Sequence, residues 1–225
     1  MLSVEELAKR IDHTLLRPDA QLREIENLAE EAVRYGFRSV CVNPSFVPVV
    51  DRILNGTNVM VCTVVGFPLG ATSTEVKAYE AKWAVENGAQ EIDMVIHIGK
   101  LKEGDDGYVV RDIRAVVTAA QNAKVKVIIE TAFLTDEEKL RAVELIKHGG
   151  AHFVKTSTGF ASTGAKLEDV RLLASKAKPL GLKVKAAGGI RDFKTAVAMI
   201  EAGADVIGAS RSVQIIRSAS SEVKK

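Results

Sequence analysis

Three charged residues stand in segments where a buried β-strand should be apolar. They are Asp93 in Glu91-Ile-Asp-Met-Val-Ile-His97, Lys155 in His152-Phe-Val-Lys-Thr-Ser-Thr-Gly159, and Lys185 in Lys183-Val-Lys-Ala-Ala-Gly-Gly189. Successive strand side chains point to opposite faces of a sheet. If Ile92, Met94, Ile96, Val154, Val184 and Ala186 face outer helices, then Asp93, Lys155 and Lys185 all face the other way. A lone strand lysine reads most simply as one that snorkels to solvent. Two lysines on neighbouring strands with a carboxylate on the same face point instead to an active site, because inward charges are expensive unless they are used.

Two adjacent lysines suit one kind of chemistry. A lysine attacks a carbonyl only as the free amine, and its reference pKa is about 10.4. Burial and a neighbouring cation both disfavour the ammonium form. One amine of a pair can therefore act as a nucleophile near neutral pH and form a Schiff base. The iminium then draws electrons from an adjacent carbon–carbon bond. Asp93 is placed to move the protons this requires.

A second signal is small-residue loops. Ala186-Ala-Gly-Gly-Ile190 follows one strand and Ile207-Gly-Ala-Ser210 ends the next. In an eight-stranded α/β barrel, the loops after strands seven and eight often bind phosphate through backbone N–H groups and a helix N-terminus. Thr158-Gly159 and the Ser210 hydroxyl could add donors.

The elements that must position these residues follow from periodicity. Strands are predicted at Ile11–Leu15, Ser39–Asn43, Val59–Phe67, Glu91–His97, Val125–Thr131, His152–Ser157, Lys183–Gly188 and Asp205–Ser210. Their Val and Ile content suits parallel strands buried on both faces. Helices are predicted at Ala20–Tyr35, Thr74–Asn87, Asp105–Asn122, Asp136–His148, Glu168–Leu180 and Asp192–Ala202, with another starting near Phe46-Val47. Thr135-Asp-Glu-Glu138 is a capping box. Eight alternating units predict a (β/α)₈ TIM barrel, expected as one domain over residues 1–225. An open doubly wound sheet fits less well, since no Gly-x-Gly-x-x-Gly follows the first strand.

Composition narrows the function classes. The 225 residues carry 31 Lys+Arg and 29 Asp+Glu, a formal charge of +2. That leaves no basic footprint for nucleic acid. Cys41 and Cys62 lie in apolar runs and read as reduced, buried cysteines rather than a disulfide framework. The acidic start and the absence of a long apolar run give no signal peptide and no membrane span, so a cytoplasmic protein is expected. The four histidines have no metal-ligand spacing, and Trp83 reads as packing.

At these positions the chain resembles the deoxyribose-phosphate aldolases, a class I aldolase family. The matching segments are Ile11-Asp-His-Thr14, Val64-Val-Gly-Phe-Pro-Leu-Gly70, Glu91-Ile-Asp-Met-Val95, Phe153-Val-Lys-Thr-Ser-Thr-Gly159, Lys185-Ala-Ala-Gly-Gly-Ile-Arg191 and Gly208-Ala-Ser210. The resemblance implies reversible cleavage of 2-deoxy-D-ribose 5-phosphate to acetaldehyde and D-glyceraldehyde 3-phosphate, a step of deoxyribonucleotide catabolism, with no cofactor and no metal. It implies Lys155 as the Schiff-base lysine, Lys185 as its partner and Asp93 as the proton shuttle. Asp12, Thr14 and Thr158 match positions that hold substrate hydroxyls, and Cys41 matches a cysteine near the substrate. Gly159, Gly188, Gly189, Arg191, Gly208 and Ser210 match the phosphate region. A homodimer or homotetramer is expected.

The chain departs from the family at three places. Phe160 and Arg211 stand where some members have lysine and serine, and the tail Ser218–Lys225 lacks the tyrosine of longer members. A Schiff-base barrel using a ketone donor and a non-catalytic sugar-phosphate binder are the competing readings. The binder has little use for two buried lysines without paired carboxylates.

Overall fold

The structure is a computed structural model that describes residues 2–222, with side chains through Ala219. Met1 and residues 223–225, the last part of the tail that lacks a tyrosine, lie outside the described residues.

Eight strands form a closed parallel barrel in chain order. They are β1 Ile11–Leu15, β2 Ser39–Val42, β3 Met60–Val65, β4 Glu91–Val95, β5 Lys124–Ile128, β6 Phe153–Lys155, β7 Lys183–Ala187 and β8 Val206–Ala209. The closing seam pairs Asp12 with Gly208. Every expected strand is present, and several stop short of the apolar run that suggested them. Val59–Phe67, for example, narrows to Met60–Val65 because Gly66 turns at φ +60° and its N–H binds Glu80 Oε2 at 2.7 Å. Most of the lost residues sit at the C-terminal ends, where the chain leaves the sheet to build the loops, while Val59, His152 and Asp205 fall away at the N-terminal ends.

Among the described residues, ten α-helices surround the barrel. They are α1 Val4–Ala8, α2 Leu22–Tyr35, α3 Val47–Leu54, α4 Thr74–Glu86, α5 Ile98–Glu103, α6 Asp106–Ala119, α7 Asp136–Gly149, α8 Leu167–Ala177, α9 Phe193–Glu201 and α10 Ser212–Glu222. The Thr135–Glu138 capping box forms at the start of α7. Helices α1, α5 and α10 were not expected. Two are a turn or so long, too short to show an apolar stripe, although Ser3 and Glu6 do form a capping box ahead of α1.

The main core lies between barrel and helices, where outward strand residues such as Val40, Ile92, Val127 and Ile207 meet helix residues such as Ile25, Ala81, Ile113 and Leu173. A small second cluster of Leu16, Cys41, Cys62 and Val64 lies apart from it. Both cysteines are buried and free, as the sequence led us to expect. Trp83 packs half-buried against the main core. No described helix is long and apolar enough to cross a membrane.

One buried ion pair fastens two outer helices. Lys77 of α4 donates to Asp112 Oδ2 of α6 at 2.6 Å, and Thr74 donates to Asp112 Oδ1 at 2.8 Å. Both charged side chains are fully buried, and burial pushes the Lys77 ammonium below its ordinary pKa despite Asp112. Asp112→Ala strands that ammonium. We expect a loss of about 3–5 kcal/mol in chemical denaturation, with the far-UV spectrum retained. A loss below about 1 kcal/mol would show the pair to be dispensable.

Candidate active site

Strand parity places the three predicted residues as expected. On β4, Glu91 and Asp93 turn inward while Ile92 and Met94 join the outer core. Lys155 of β6 and Lys185 of β7 stand opposite one another in register. All three are buried and converge on one carboxylate. Lys155 Nζ donates to Asp93 Oδ2 at 2.8 Å, and Lys185 Nζ donates to the same oxygen at 2.7 Å.

The interior holds four further charges. Lys126 of β5 donates to Asp93 Oδ1 at 2.8 Å and lies 2.7 Å from Glu91 Oε2. Lys185 also donates to Asp12 Oδ2 at 2.5 Å. Arg38, just ahead of β2, forks between Asp12 Oδ1 at 2.7 Å and both oxygens of Glu91. Three carboxylates, Asp12, Glu91 and Asp93, thus face Arg38, Lys126, Lys155 and Lys185.

Sequence reasoning missed Lys126, Glu91 and Arg38 as parts of the site. A usable signal existed for two of them. Val125 and Val127 face outward, so Lys126 must face inward by the parity that exposed Lys155 and Lys185, and Glu91 shares the face of Asp93. Arg38 lies outside any strand and has no such signal.

Electrostatics sort these groups. Burial opposes the charge on Asp93, yet the ammonium groups of Lys126, Lys155 and Lys185 hold its carboxyl well below the usual range. Asp12 is held low against burial by Lys185, Lys126 and Arg38. Burial likewise opposes the Lys185 ammonium, but Asp12 and Asp93 raise its pKa well above that of a free lysine. Lys126 is raised in the same way, chiefly by Asp93 once burial is overcome. Lys185 and Lys126 therefore rest as ammonium groups.

A cavity of about 650 Å³ opens above this cluster. It is lined by Thr14, Lys155, Thr158, Gly159, Gly188, Gly189, Arg191, Gly208 and Ser210, nine of the thirteen expected site residues. Lys155 is the one member of the charge cluster that reaches its wall. Asp93, Lys185, Asp12 and Cys41 are completely buried and do not line it. Asp12 is occupied by Arg38 and Lys185. Cys41 packs in the small inner cluster with Cys62. The Thr158 hydroxyl donates to Glu130, a buried residue at φ +52° that sequence reasoning also missed. Thr14 donates to the Asp12 carbonyl at 2.8 Å.

The β7 and β8 loops form one end of the cavity. Gly188-Gly-Ile-Arg191 follows β7, and Gly208-Ala-Ser-Arg211 leads into α10. Gly208 has a packing reason as well. A Cβ there would lie 3.0 Å from the Lys185 Cε, so a side chain would press on the lysine stem. Two of the three departures from the family pattern, Phe160 and Arg211, face the cavity. Phe160 stands edge-on to Phe67, with ring centroids 5.3 Å apart. Arg211 joins Arg17 and Arg191 as cationic lining, and Arg17 had no sequence signal.

Two groups of potential metal ligands occur among the described residues. Cys41, Cys62 and Asp93 form one, and Asp12, Cys62 and Glu91 the other. Lys126 Nζ stands 3.7 Å from Asp12 and 3.3 Å from Cys62, besides its contacts to Glu91 and Asp93. An ammonium holds the space where a cation would bind. His97 does not line the cavity. Its Nδ1 accepts the Lys100 N–H at the start of α5, which makes it a helix cap.

Comparisons with known proteins point to one family. A family profile described as DeoC/LacD family aldolase matches residues 7–215. A deoxyribose-phosphate aldolase of Aciduliprofundum boonei is 58% identical over 217 residues, covering 96% of this chain and 97% of that protein. One from Dictyoglomus turgidum is 56% identical over 211 residues, covering 94% and 96%. Among solved structures, the tetrameric deoxyribose phosphate aldolase of Aeropyrum pernix superposes with a TM-score of 0.92 at 40% identity, covering 98% of this chain and 93% of that one.

Proposed function

The chain belongs to the DeoC/LacD family of aldolases, and from that membership we propose how its cavity performs a carbon–carbon lyase reaction. The substrate is 2-deoxy-D-ribose 5-phosphate, cleaved reversibly to acetaldehyde and D-glyceraldehyde 3-phosphate, as the names of its relatives support. The observation that carries the catalytic assignment is that Lys155 alone joins the buried charge cluster to the cavity wall.

Position makes Lys155 the nucleophile. Arg38, Lys126 and Lys185 are held by Asp12, Glu91 and Asp93 away from the cavity, and Lys155 alone of the cluster stands on its wall. The free amine attacks the C1 carbonyl of the open-chain sugar, and loss of water leaves an iminium. A proton then leaves the C3 hydroxyl as the C2–C3 bond breaks. The bond's electron pair flows to the iminium nitrogen, D-glyceraldehyde 3-phosphate departs and an enamine remains. Protonation of the enamine carbon and hydrolysis release acetaldehyde and regenerate the amine.

Asp93 bridges Lys155 and Lys185, so it passes protons between them and orients both. Its carboxyl is held too low to be a strong base by itself, and Lys185 is the donor beside it. Thr14 and Thr158 line the cavity where substrate hydroxyls would lie. Asp12 and Cys41 act from behind the wall, Asp12 by holding Lys185. Gly159, Gly188, Gly189, Gly208 and Ser210 receive the phosphate with backbone and hydroxyl donors near the start of α10. Arg191 and Arg211 supply its countercharge.

Sodium borohydride with acetaldehyde should trap a stable adduct on Lys155, located by peptide mass spectrometry. Trapping on another lysine, or none, would overturn the assignment. The tetrameric relative supports a homo-oligomer here, and sedimentation equilibrium separates dimer from tetramer.

A further inference from the structure

His13 is a buried ionisable side chain with no step in the reaction above. It stands on the outward face of β1, between Asp12 and Thr14, in the layer where Ile11, Val40 and Ile207 belong to the apolar core. A polar ring buried there needs hydrogen-bond partners, and this one has a partner on each nitrogen. Nδ1 lies 2.9 Å from Oγ of Ser212, the first residue of α10, and Nε2 lies 2.9 Å from Glu31 Oε2 on α2. The Ser212 hydroxyl also donates to the Ala209 carbonyl at 2.9 Å. Ala209 ends β8 and is the register partner of His13 across the closing seam. An aromatic row extends the tie. The Phe37 ring packs 5.0 Å from the His13 ring, Tyr35 of α2 stacks 5.7 Å from Phe37, and Arg217 of α10 donates to the Tyr35 hydroxyl at 2.9 Å. Helix α10 is thus fastened to β1 and α2 at its first residue and again at Arg217.

We propose that His13 is a positioning residue for the substrate phosphate: through Ser212 it holds the β8–α10 turn in the shape that grips the anion, and so sets the preference for a phosphorylated over an unphosphorylated sugar. The proposal rests on the reading of Gly208-Ala-Ser-Arg211 as part of the phosphate end of the cavity. These four residues line the cavity, whereas His13 does not. The peptide plane explains how a residue outside the cavity can act on it. The Ala209 carbonyl and the Ser210 N–H belong to one planar peptide unit, so holding the carbonyl on Ser212 fixes the direction of that N–H. An anion site built from backbone donors works only when those donors are held before the ligand arrives. Asp93 and Lys155 face the opposite side of the sheet from His13, so the carbon–carbon chemistry is not the step it controls.

The test compares cleavage of 2-deoxy-D-ribose 5-phosphate with cleavage of unphosphorylated 2-deoxy-D-ribose. His13→Leu keeps an apolar side chain against Phe37 and removes both ring hydrogen bonds. It should raise KM for the phosphorylated sugar about tenfold with kcat little changed, and leave kcat/KM for the unphosphorylated sugar within about twofold of wild type. The preference for phosphate then falls about tenfold. Ser212→Ala breaks only the link to the turn and should shift the preference in the same direction, so a His13→Leu protein that fails to fold does not shield the proposal. Equal losses on both sugars in His13→Leu, as a merely structural role would give, or an unchanged preference in Ser212→Ala, would each overturn it. If the wild-type protein shows no preference for the phosphorylated sugar, the reading of the phosphate end fails, and the proposal with it. If the wild type prefers the phosphate and both variants keep that preference, the role of His13 fails alone.

Discussion

Lys155→Ala is expected to lose turnover by at least about 10⁵-fold and to lose the borohydride-trapped adduct with it. Lys155 alone in the cluster reaches the cavity, so no other amine of the cluster can approach the carbonyl. Lys185 and Lys126 cannot substitute, since both are completely buried and held as cations. Its removal should be mild for folding. Arg38, Lys126 and Lys185 still hold Asp12, Glu91 and Asp93, and the truncated site opens onto a cavity that can admit water. The melting temperature should therefore stay within a few degrees of wild type. Residual turnover within tenfold of wild type would reject Lys155 as the nucleophile. A collapse in stability would show that Lys155 also holds the buried charges together.

Lys185→Leu should lower kcat by about 10³-fold at neutral pH, in the chemical step rather than in substrate binding. Asp93 would lose the donor that sits beside the reacting amine and fixes its orientation. The change also strips Asp12 of its closest ammonium, leaving Arg38 at 2.7 Å and Lys126 at 3.7 Å. Some stability should be lost with it. Pre-steady-state formation of the iminium is the measurement that separates chemistry from binding. An unchanged rate in Lys185→Leu would remove the physical basis for a lysine pair.

The barrel and the inward trio were legible because both rest on local repetition. Alternation along β4, β6 and β7 tells which way Asp93, Lys155 and Lys185 point, whatever surrounds them. The glycines after β7 and β8 were legible as loops because tight turns and close approaches demand them. The short helices α1 and α5 were missed because a turn or so of helix contains too few residues to show a stripe. The substrate-facing assignment was only partly legible. Thr14 and Asp12 sit two residues apart on one strand and share a face, yet Thr14 lines the cavity and Asp12 is buried under Lys185. Parity gives the side of the sheet. It does not give the depth along the barrel axis.

The sequence by itself determined the element order, the inward face of each strand and which lysines stand on that face, since period-two alternation and motif spacing act over a few neighbouring residues. The tertiary structure decided who neutralises whom. Arg38 reaches Glu91 across the barrel floor, Lys185 reaches Asp12 across the β7–β1 gap, and Lys126 takes the centre. Protonation in a closed low-dielectric interior depends on the total of the charges gathered there. That total exists only once the eighth strand has closed against the first and brought distant segments of chain onto one axis.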